Sequence, residues 1–109
     1  MNSNFENLNK ELDAIFGVLN NNVKRIIVLY IGRKGKVKGG SKNLVDPVVE
    51  MAEEFGMDVN RFTIPPQLSF LKNMDKIVEQ DEDGFWYLNS LGLKAYKLLE
   101  YLISETSKR

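Results

Sequence analysis

Residues 77–93 of the chain read IVEQDEDGFWYLNSLGL. The runs IVEQ and FWYL have the composition of short strands, and the segment DEDG between them ends in Asp83-Gly84, a hairpin-turn signal. Leucines and other apolar residues recur at helical spacing after this segment. The stretch therefore predicts a β-hairpin within residues 76–89 and a helix over 91–105.

The residues before the hairpin carry the pattern of two helices separated by a turn, within 43–75. Asp46 followed by Pro47 is a helix-start signal, and Gly56 is typical of a helix end. A second helix is predicted over 63–75, because its double proline is tolerated only in a first helical turn. The residues of this helix predicted to face inward are Leu68, Leu71 and Met74.

The N-terminal third predicts two more helices. A helix over residues 1–20 has an apolar stripe at spacings of three and four, formed by Phe5, Leu8, Leu12, Ile15 and Leu19. The apolar run over 23–30 favours a second helix, although a buried strand would show the same run. Four glycines within 32–42 argue against a helix there, so a loop or a flexible strand is expected.

The composition excludes several classes of chemistry. The chain lacks cysteine and histidine, which removes disulfides, thiol catalysis, histidine-based acid–base catalysis and most transition-metal sites. Lys+Arg and Asp+Glu number 15 each, so a polycation that coats nucleic acid is excluded as well. The 109 residues suffice for one domain, and no apolar run approaches the length of a membrane span. A binding module without cofactor or metal is expected in the cytoplasm, away from membranes.

Three segments resemble the ArsR-like and MarR-like regulators. Val23–Leu29, with Leu19 before it, is similar to their opening helix; Met51–Met57 (MAEEFGM) is similar to their helix and turn; and residues 77–93 look like their wing and the helix after it. The chain departs from the pattern at Asn89, where threonine is usual, and in its longer turn over 58–63. The resemblance implies an α+β, mostly helical fold, a winged helix-turn-helix with additional N-terminal and C-terminal helices in one domain spanning 1–109.

The resemblance also implies that the helix over 63–75 enters the major groove of duplex DNA. Glutamine and asparagine can read adenine, serine can bond a base edge or a phosphate, and phenylalanine can meet a thymine methyl group. Arg61, just before the helix, could neutralise a phosphate. The candidate contacts on the helix are Thr63, Gln67, Ser69, Phe70, Lys72 and Asn73. Equally, these residues could form an ordinary solvated face with Phe70 in the core.

The local distribution of charge supports the same function. The basic residues of segment 33–42 are Arg33, Lys34, Lys36, Lys38 and Lys42, with no acidic residue among them. Such a glycine-spaced segment could follow a phosphate backbone, or it could be a solvated loop paired with the acidic helix that follows. Residues 81–83 at the hairpin tip are all acidic, so DNA should repel this tip and a basic partner protein could bind it.

The first and last helices carry more apolar residues than such a domain needs, and in the related regulators they form a dimer interface. The candidate interface residues are Phe5, Leu8, Leu12, Ile15, Leu98, Tyr101 and Leu102; alternatively, they cover the monomer's own core. The expected function is sequence-specific binding of double-stranded DNA by a homodimeric transcriptional regulator without catalytic activity. A plasmid or viral partition adaptor and a winged helix used for protein–protein contact are the alternatives.

Overall fold

The computed structural model describes residues 3–107, which form an α+β fold with five α-helices and one small antiparallel sheet. The α-helices are α1 (Ser3–Leu19), α2 (Asn22–Lys34), α3 (Val45–Glu54), α4 (Ile64–Asn73) and α5 (Ser90–Ser107). The strands are β1 (Lys36–Lys38), β2 (Val78–Gln80) and β3 (Phe85–Leu88). Short 3₁₀ turns at Ser41–Leu44 and Arg61–Thr63 precede α3 and α4.

The helix α2 forms the centre of the core. Its run from Ile26 to Leu29 is almost completely buried, as is Ile31, and it packs against α1, α3, α4, α5 and the sheet. A helix whose middle turns are apolar on all sides is typical of such a central position. The structure therefore decides in favour of a helix where the sequence also allowed a strand.

The three strands pair in the order β1-β3-β2. The predicted hairpin is confirmed: Val78 lies opposite Leu88, and Gly84 has a φ of 86°, which favours glycine in the turn. Strand β1 pairs with the other edge of β3, with Val37 opposite Trp86. The glycine-rich segment thus includes an ordered strand, the second of the two possibilities that the sequence left open.

The prediction that residues 32–42 are not helical is wrong for the first three of them, because α2 continues to Lys34. Gly35, with a φ of 82°, ends the helix. Gly32 accounts for the difference, since a Cβ at this position would overlap the ring of Tyr96 on α5. The glycine therefore permits close contact between two helices. Tertiary packing here outweighs the low helix propensity of glycine.

The start of α3 also differs from the prediction. Leu44 is the N-cap residue and makes no side-chain capping bond, whereas Asp46 and Pro47 already lie in the first turn. The Asp46 carboxylate instead pairs with Arg61, just before α4. The helix ends as predicted at Gly56, which has a φ of 72°, and its N–H donates to the Glu53 carbonyl.

Met74 does not face inward as predicted but is 70% exposed, whereas Leu68 and Leu71 are fully buried as expected. The reason is that α4 ends at Asn73 and the chain then turns. Ile77 takes the inward position, and its N–H donates to the Leu71 carbonyl oxygen at 3.1 Å.

Asn89 connects the start of α5 to Lys76 and Ile77, which lie between α4 and the hairpin. Its Oδ1 accepts from the Gly92 N–H at 2.9 Å, which is a helix-capping bond, and its Nδ2 donates to the Lys76 carbonyl. Its own N–H donates to the Ile77 carbonyl at 3.1 Å. The Asn89 side chain therefore caps the helix and connects it to the segment before the hairpin.

The end of α2 is fixed to α5 by an ion pair. Arg33 donates two hydrogen bonds of 2.9 Å to the Glu100 carboxylate, and the Tyr96 hydroxyl donates a third at 2.8 Å. The bonds from Arg33 lower the pKa of Glu100 below its ordinary value of 4.5, with burial acting in the opposite direction. A lowered pKa in the folded state stabilises the fold above the unfolded-state pKa, and this stabilisation is lost as the pH falls.

We therefore expect Glu100→Gln to lower the free energy of unfolding near neutral pH by about 0.5–1 kcal/mol, a value reduced by the partial exposure of both partners. The difference from the parent should shrink as the pH falls below the ordinary glutamate pKa of 4.5, because the parent then loses its charge. Urea unfolding over a range of pH values measures this. A difference that grows in acid would contradict the assignment.

Among residues 3–107, no single helix is long and apolar enough to cross a membrane; only α1 and α2 taken together, bent by 103°, meet the criteria of length and composition.

Candidate nucleic-acid interface

The helix α4 presents one face to solvent and buries the other. Ile64, Leu68 and Leu71 are fully buried against the core. The exposed residues of its outward face are Pro66 and four of the predicted contacts, Ser69, Phe70, Lys72 and Asn73. Phe70 is 48% exposed, so the alternative that it belongs to the core is wrong.

Two candidate contacts at the start of this helix are less accessible. Gln67 is half-buried, and so is Thr63, whose hydroxyl donates to the Asn60 carbonyl at 2.6 Å. Thr63 therefore helps to shape the turn before α4. On the last turn, the side-chain Nδ2 of Asn73 donates to the Ser69 hydroxyl at 3.1 Å. The side-chain oxygen of Asn73, Oδ1, makes no hydrogen bond inside the described chain.

The exposed face of α4 is free of carboxylates. No acidic residue occurs from Val59 to Met74, and the next one, Asp75, forms a 2.7 Å ion pair with Lys24. The Lys24 ammonium also lies 5.5 Å from the centre of the Phe70 ring. The α4 surface, defined as the exposed residues of α4 with Lys24, Met74 and the 3₁₀ turn before the helix, is therefore neutral to positive.

The structure divides the basic segment among three places. Arg33 is held by Glu100, and its guanidinium carbon lies 5.4 Å from the Phe55 ring centre, so it connects α2, α3 and α5. Lys34 lies beside Tyr30 in a shallow cavity that Glu50 and Glu54 also line. These two cations belong to an acidic region and are not part of the α4 surface.

Lys36 and Lys38 lie on the outer side of the sheet. Lys38 is 5.6 Å and Lys36 is 5.9 Å from the ring centre of Phe85, and Lys36 also contacts Tyr87 at 5.9 Å. Lys36 is 3.6 Å from the Asp81 carboxylate, so its charge is partly neutralised. These lysines are attached to a folded strand and do not form a mobile loop.

Lys72 lies on α4 itself, and Lys42 lies on a neighbouring turn. Lys42 is exposed on the 3₁₀ turn that packs against α4. The Lys72 ammonium lies 5.5 Å from the Trp86 ring centre, and the Trp86 indole N–H donates to the Gly39 carbonyl at 2.7 Å. The end of the glycine-rich segment is thereby fixed beside α4.

Arg61 is exposed before α4 but its guanidinium pairs with Asp46. Binding to a phosphate there would compete with this carboxylate. At the hairpin tip, the Asp81 carboxylate accepts from the N–H groups of Asp83 and Phe85, and the bond from Phe85 contributes most to lowering the pKa of Asp81. Glu82 and Asp83 are the acidic side chains exposed at the tip.

The candidate dimer residues lie on α1 and α5, which contact each other through a 2.7 Å ion pair between Glu11 and Lys94. Five of the seven are exposed by more than a third, namely Phe5, Leu8, Leu98, Tyr101 and Leu102, whereas Leu12 and Ile15 are half-buried. The apolar stripe on α1 is therefore only partly buried by the core of one chain.

Several residues of this surface were missed from the sequence. Lys24 lies 46 positions before Phe70, so only the fold brings the two together. Phe62, which is 81% exposed, and Met74 were assigned no outward role. Their spacing of four residues from Pro66 and Phe70 was a signal that could have found them.

Comparison with protein-family models, with curated proteins and with solved structures finds no significant match to this chain. Among residues 3–107, no three acidic side chains are placed to hold a metal ion together.

Proposed function

We propose that the chain is a winged helix-turn-helix domain that binds double-stranded DNA. The order of elements supports this, since α3 and α4 pack against α2, β1 joins the hairpin of β2 and β3, and α4 follows the turn after α3. The observation that carries the proposal is the exposed, carboxylate-free face of α4. A helix that enters a groove of a polyanion needs such a face.

In this proposal α4 lies in the major groove with Gln67, Ser69 and Asn73 towards the base edges. Lys42 and Lys72, at one side of the helix, neutralise backbone phosphates and release counterions. Two copies joined through α1 and α5 present two α4 helices to successive turns of the duplex. Control of transcription is the function that this arrangement suits best, and binding of a partition site would use the same surface.

The charge contribution can be tested with Lys42→Ala/Lys72→Ala. We expect this double variant to bind all duplexes about tenfold more weakly at low salt, because two phosphate contacts are lost. The slope of log affinity against log salt concentration should become shallower by about two. Fluorescence anisotropy with labelled duplexes from 50 to 300 mM salt measures both quantities.

Lys97→Ala is the matched control, because Lys97 is an exposed lysine on α5 and not part of the α4 surface. It should leave both the affinity and the slope unchanged. If it weakens binding as much as the double variant does, the contacts with phosphate do not lie beside α4.

A second candidate function is contact with a basic protein, which the exposed carboxylates Glu82 and Asp83 at the hairpin tip favour. The double variant Glu82→Gln/Asp83→Asn distinguishes the two functions. DNA binding through α4 should strengthen slightly when this repulsion is removed. A protein complex held by the tip should weaken instead.

A further inference from the structure

The most exposed apolar side chains near α4 form one line along its outer face. Phe62, Pro66, Phe70 and Met74 are spaced four residues apart, with Pro66 and Phe70 on one side of α4, Phe62 in the 3₁₀ turn before it and Met74 just after it. Phe62 is 81%, Phe70 48% and Met74 70% exposed. Pro66, Phe70 and Met74 also border one shallow cavity with Ser69 and Asn73. We refer to the four residues as the apolar ridge.

Amide side chains and a cation accompany the ridge. Gln67 and Asn73 lie on the same helix, and both carry the donor and acceptor pair that matches the major-groove edge of adenine. The side-chain oxygen Oδ1 of Asn73 makes no hydrogen bond inside the described chain, so it can accept one from a base. The Lys24 ammonium, paired with Asp75, lies beside Phe70.

The same surface is poorly equipped to read guanine. Guanine is recognised most often by the two-pronged guanidinium of arginine. α4 carries no arginine, and Arg61 at its start is paired with Asp46. The Lys72 ammonium lies over the Trp86 ring at the side of the helix.

Resting on the proposed function, we infer that α4 selects A·T-rich duplex by placing the apolar ridge against the C5-methyl groups of thymine while Gln67 and Asn73 bond adenine. The thymine methyl is the one apolar group exposed in the major groove of unmodified DNA, and phenylalanine is a residue that contacts it. A line of single apolar residues, with Ser69 and Asn73 beside it and the Asp75 carboxylate paired with Lys24, complements such a groove.

The ridge complements DNA better than it complements a protein. The core of a protein interface is a broad apolar patch with few charges. Here the ridge is one residue wide, and the Lys24 ammonium lies 5.5 Å from the centre of the Phe70 ring. Burial against an apolar partner would take the Lys24–Asp75 ion pair further out of water, whereas a hydrated groove lined by polar base edges would not.

The test compares duplexes that differ only in the methyl group. Three 20-base-pair duplexes of equal charge are measured by fluorescence anisotropy: an A·T-rich one, the same sequence with deoxyuridine in place of thymidine, and a G·C-rich one. The parent protein should bind the thymidine duplex about fourfold more tightly than the deoxyuridine duplex for each methyl group buried. It should bind the G·C-rich duplex about tenfold more weakly than the A·T-rich one. 5-Methylcytosine in the G·C-rich duplex should restore part of the affinity.

Phe70→Ala tests the ridge itself, and Phe16→Ala is its matched control because Phe16 is a 51% exposed phenylalanine on α1. Phe70→Ala should reduce the preference for thymidine over deoxyuridine by about fourfold, with the deoxyuridine affinity nearly unchanged. Phe16→Ala should keep the full preference. Met74→Ala provides a second variant of the ridge, at a residue that is 70% exposed.

The outcomes separate the inference from the proposed function. If the parent binds no duplex, both fail. If it binds the thymidine and deoxyuridine duplexes equally well, DNA binding stands and the methyl readout is wrong. If Phe70→Ala leaves this preference intact but changes the molar mass of the protein in solution, the ridge is a protein interface and the inference is overturned.

Discussion

Replacement of Gly92 by alanine is expected to lower the free energy of unfolding by about 3 kcal/mol. Gly92 is buried in the first turn of α5, where an added Cβ would collide with the Ile77 carbonyl oxygen and approach the Leu88 Cβ to 3.1 Å. Moving α5 outward would strain the bonds through which Asn89 caps Gly92 and contacts Ile77. Overpacking of this kind typically costs 1–3 kcal/mol, and the rigid backbone contact places this case at the upper end.

Urea unfolding followed by circular dichroism measures the effect as a lower midpoint with an unchanged slope. Gly40→Ala is the matched control. Gly40 has a φ of −77°, and a Cβ there would meet nothing within 4 Å. Its midpoint should not fall. If both variants unfold at the parental midpoint, the close contact between Gly92 and the Ile77 carbonyl group is contradicted.

The double substitution Leu98→Glu/Leu102→Glu is expected to weaken the proposed homodimer at least 100-fold. Both leucines are on α5 and are 37% and 46% exposed in one chain. A dimer formed through α1 and α5 would bury them, and the introduced carboxylates would be removed from water without partners. Sedimentation equilibrium over a range of protein concentrations measures the change.

The effect should extend to DNA. Two copies related by a two-fold axis would place their α4 helices about 34 Å apart, which is one turn of the duplex. The double variant should therefore lose the advantage of a palindromic site over a half-site while it retains half-site affinity. Leu93→Glu is the control, because Leu93 is 42% exposed but lies on the opposite side of α5 by helical periodicity. A parent protein that is monomeric at all concentrations would disprove the dimer.

The features predicted well from the sequence depend on local chemistry. The hairpin was predicted from Asp83-Gly84 and the end of α3 from Gly56. In each case a turn or cap residue acts within a few positions of itself. Such signals do not require knowledge of the remainder of the fold.

The features predicted wrongly depend on contacts between distant residues. Gly32 lies in a helix because the Tyr96 ring occupies the space that a side chain would need. Arg33 looked available for a phosphate, but Glu100, 67 positions later, binds it. Asp46 looked like a helix cap, but it pairs with Arg61. No local pattern encodes these partners, so the basic segment could not be divided correctly from sequence alone.

The sequence predicted the helix that forms the candidate site, but it predicted only some of the residues around that helix. The outward residues of α4 followed from periodicity, because Leu68 and Leu71 fix the buried side. Met74 was misplaced because periodicity does not show where a helix stops. Lys24 was missed because its proximity to Phe70 arises from the packing of α2 against α4.

The bond between Trp86 and Gly39 gives the molecule its own optical reporter. Trp86 is the single tryptophan of the chain, its ring is contacted by the Lys72 ammonium, and its indole N–H is bonded to the glycine-rich segment. The indole therefore has a cation on one side and a backbone carbonyl on the other. Any occupant that draws the ammonium away from the ring alters the electric field at the chromophore, so no external dye is needed to follow events beside α4.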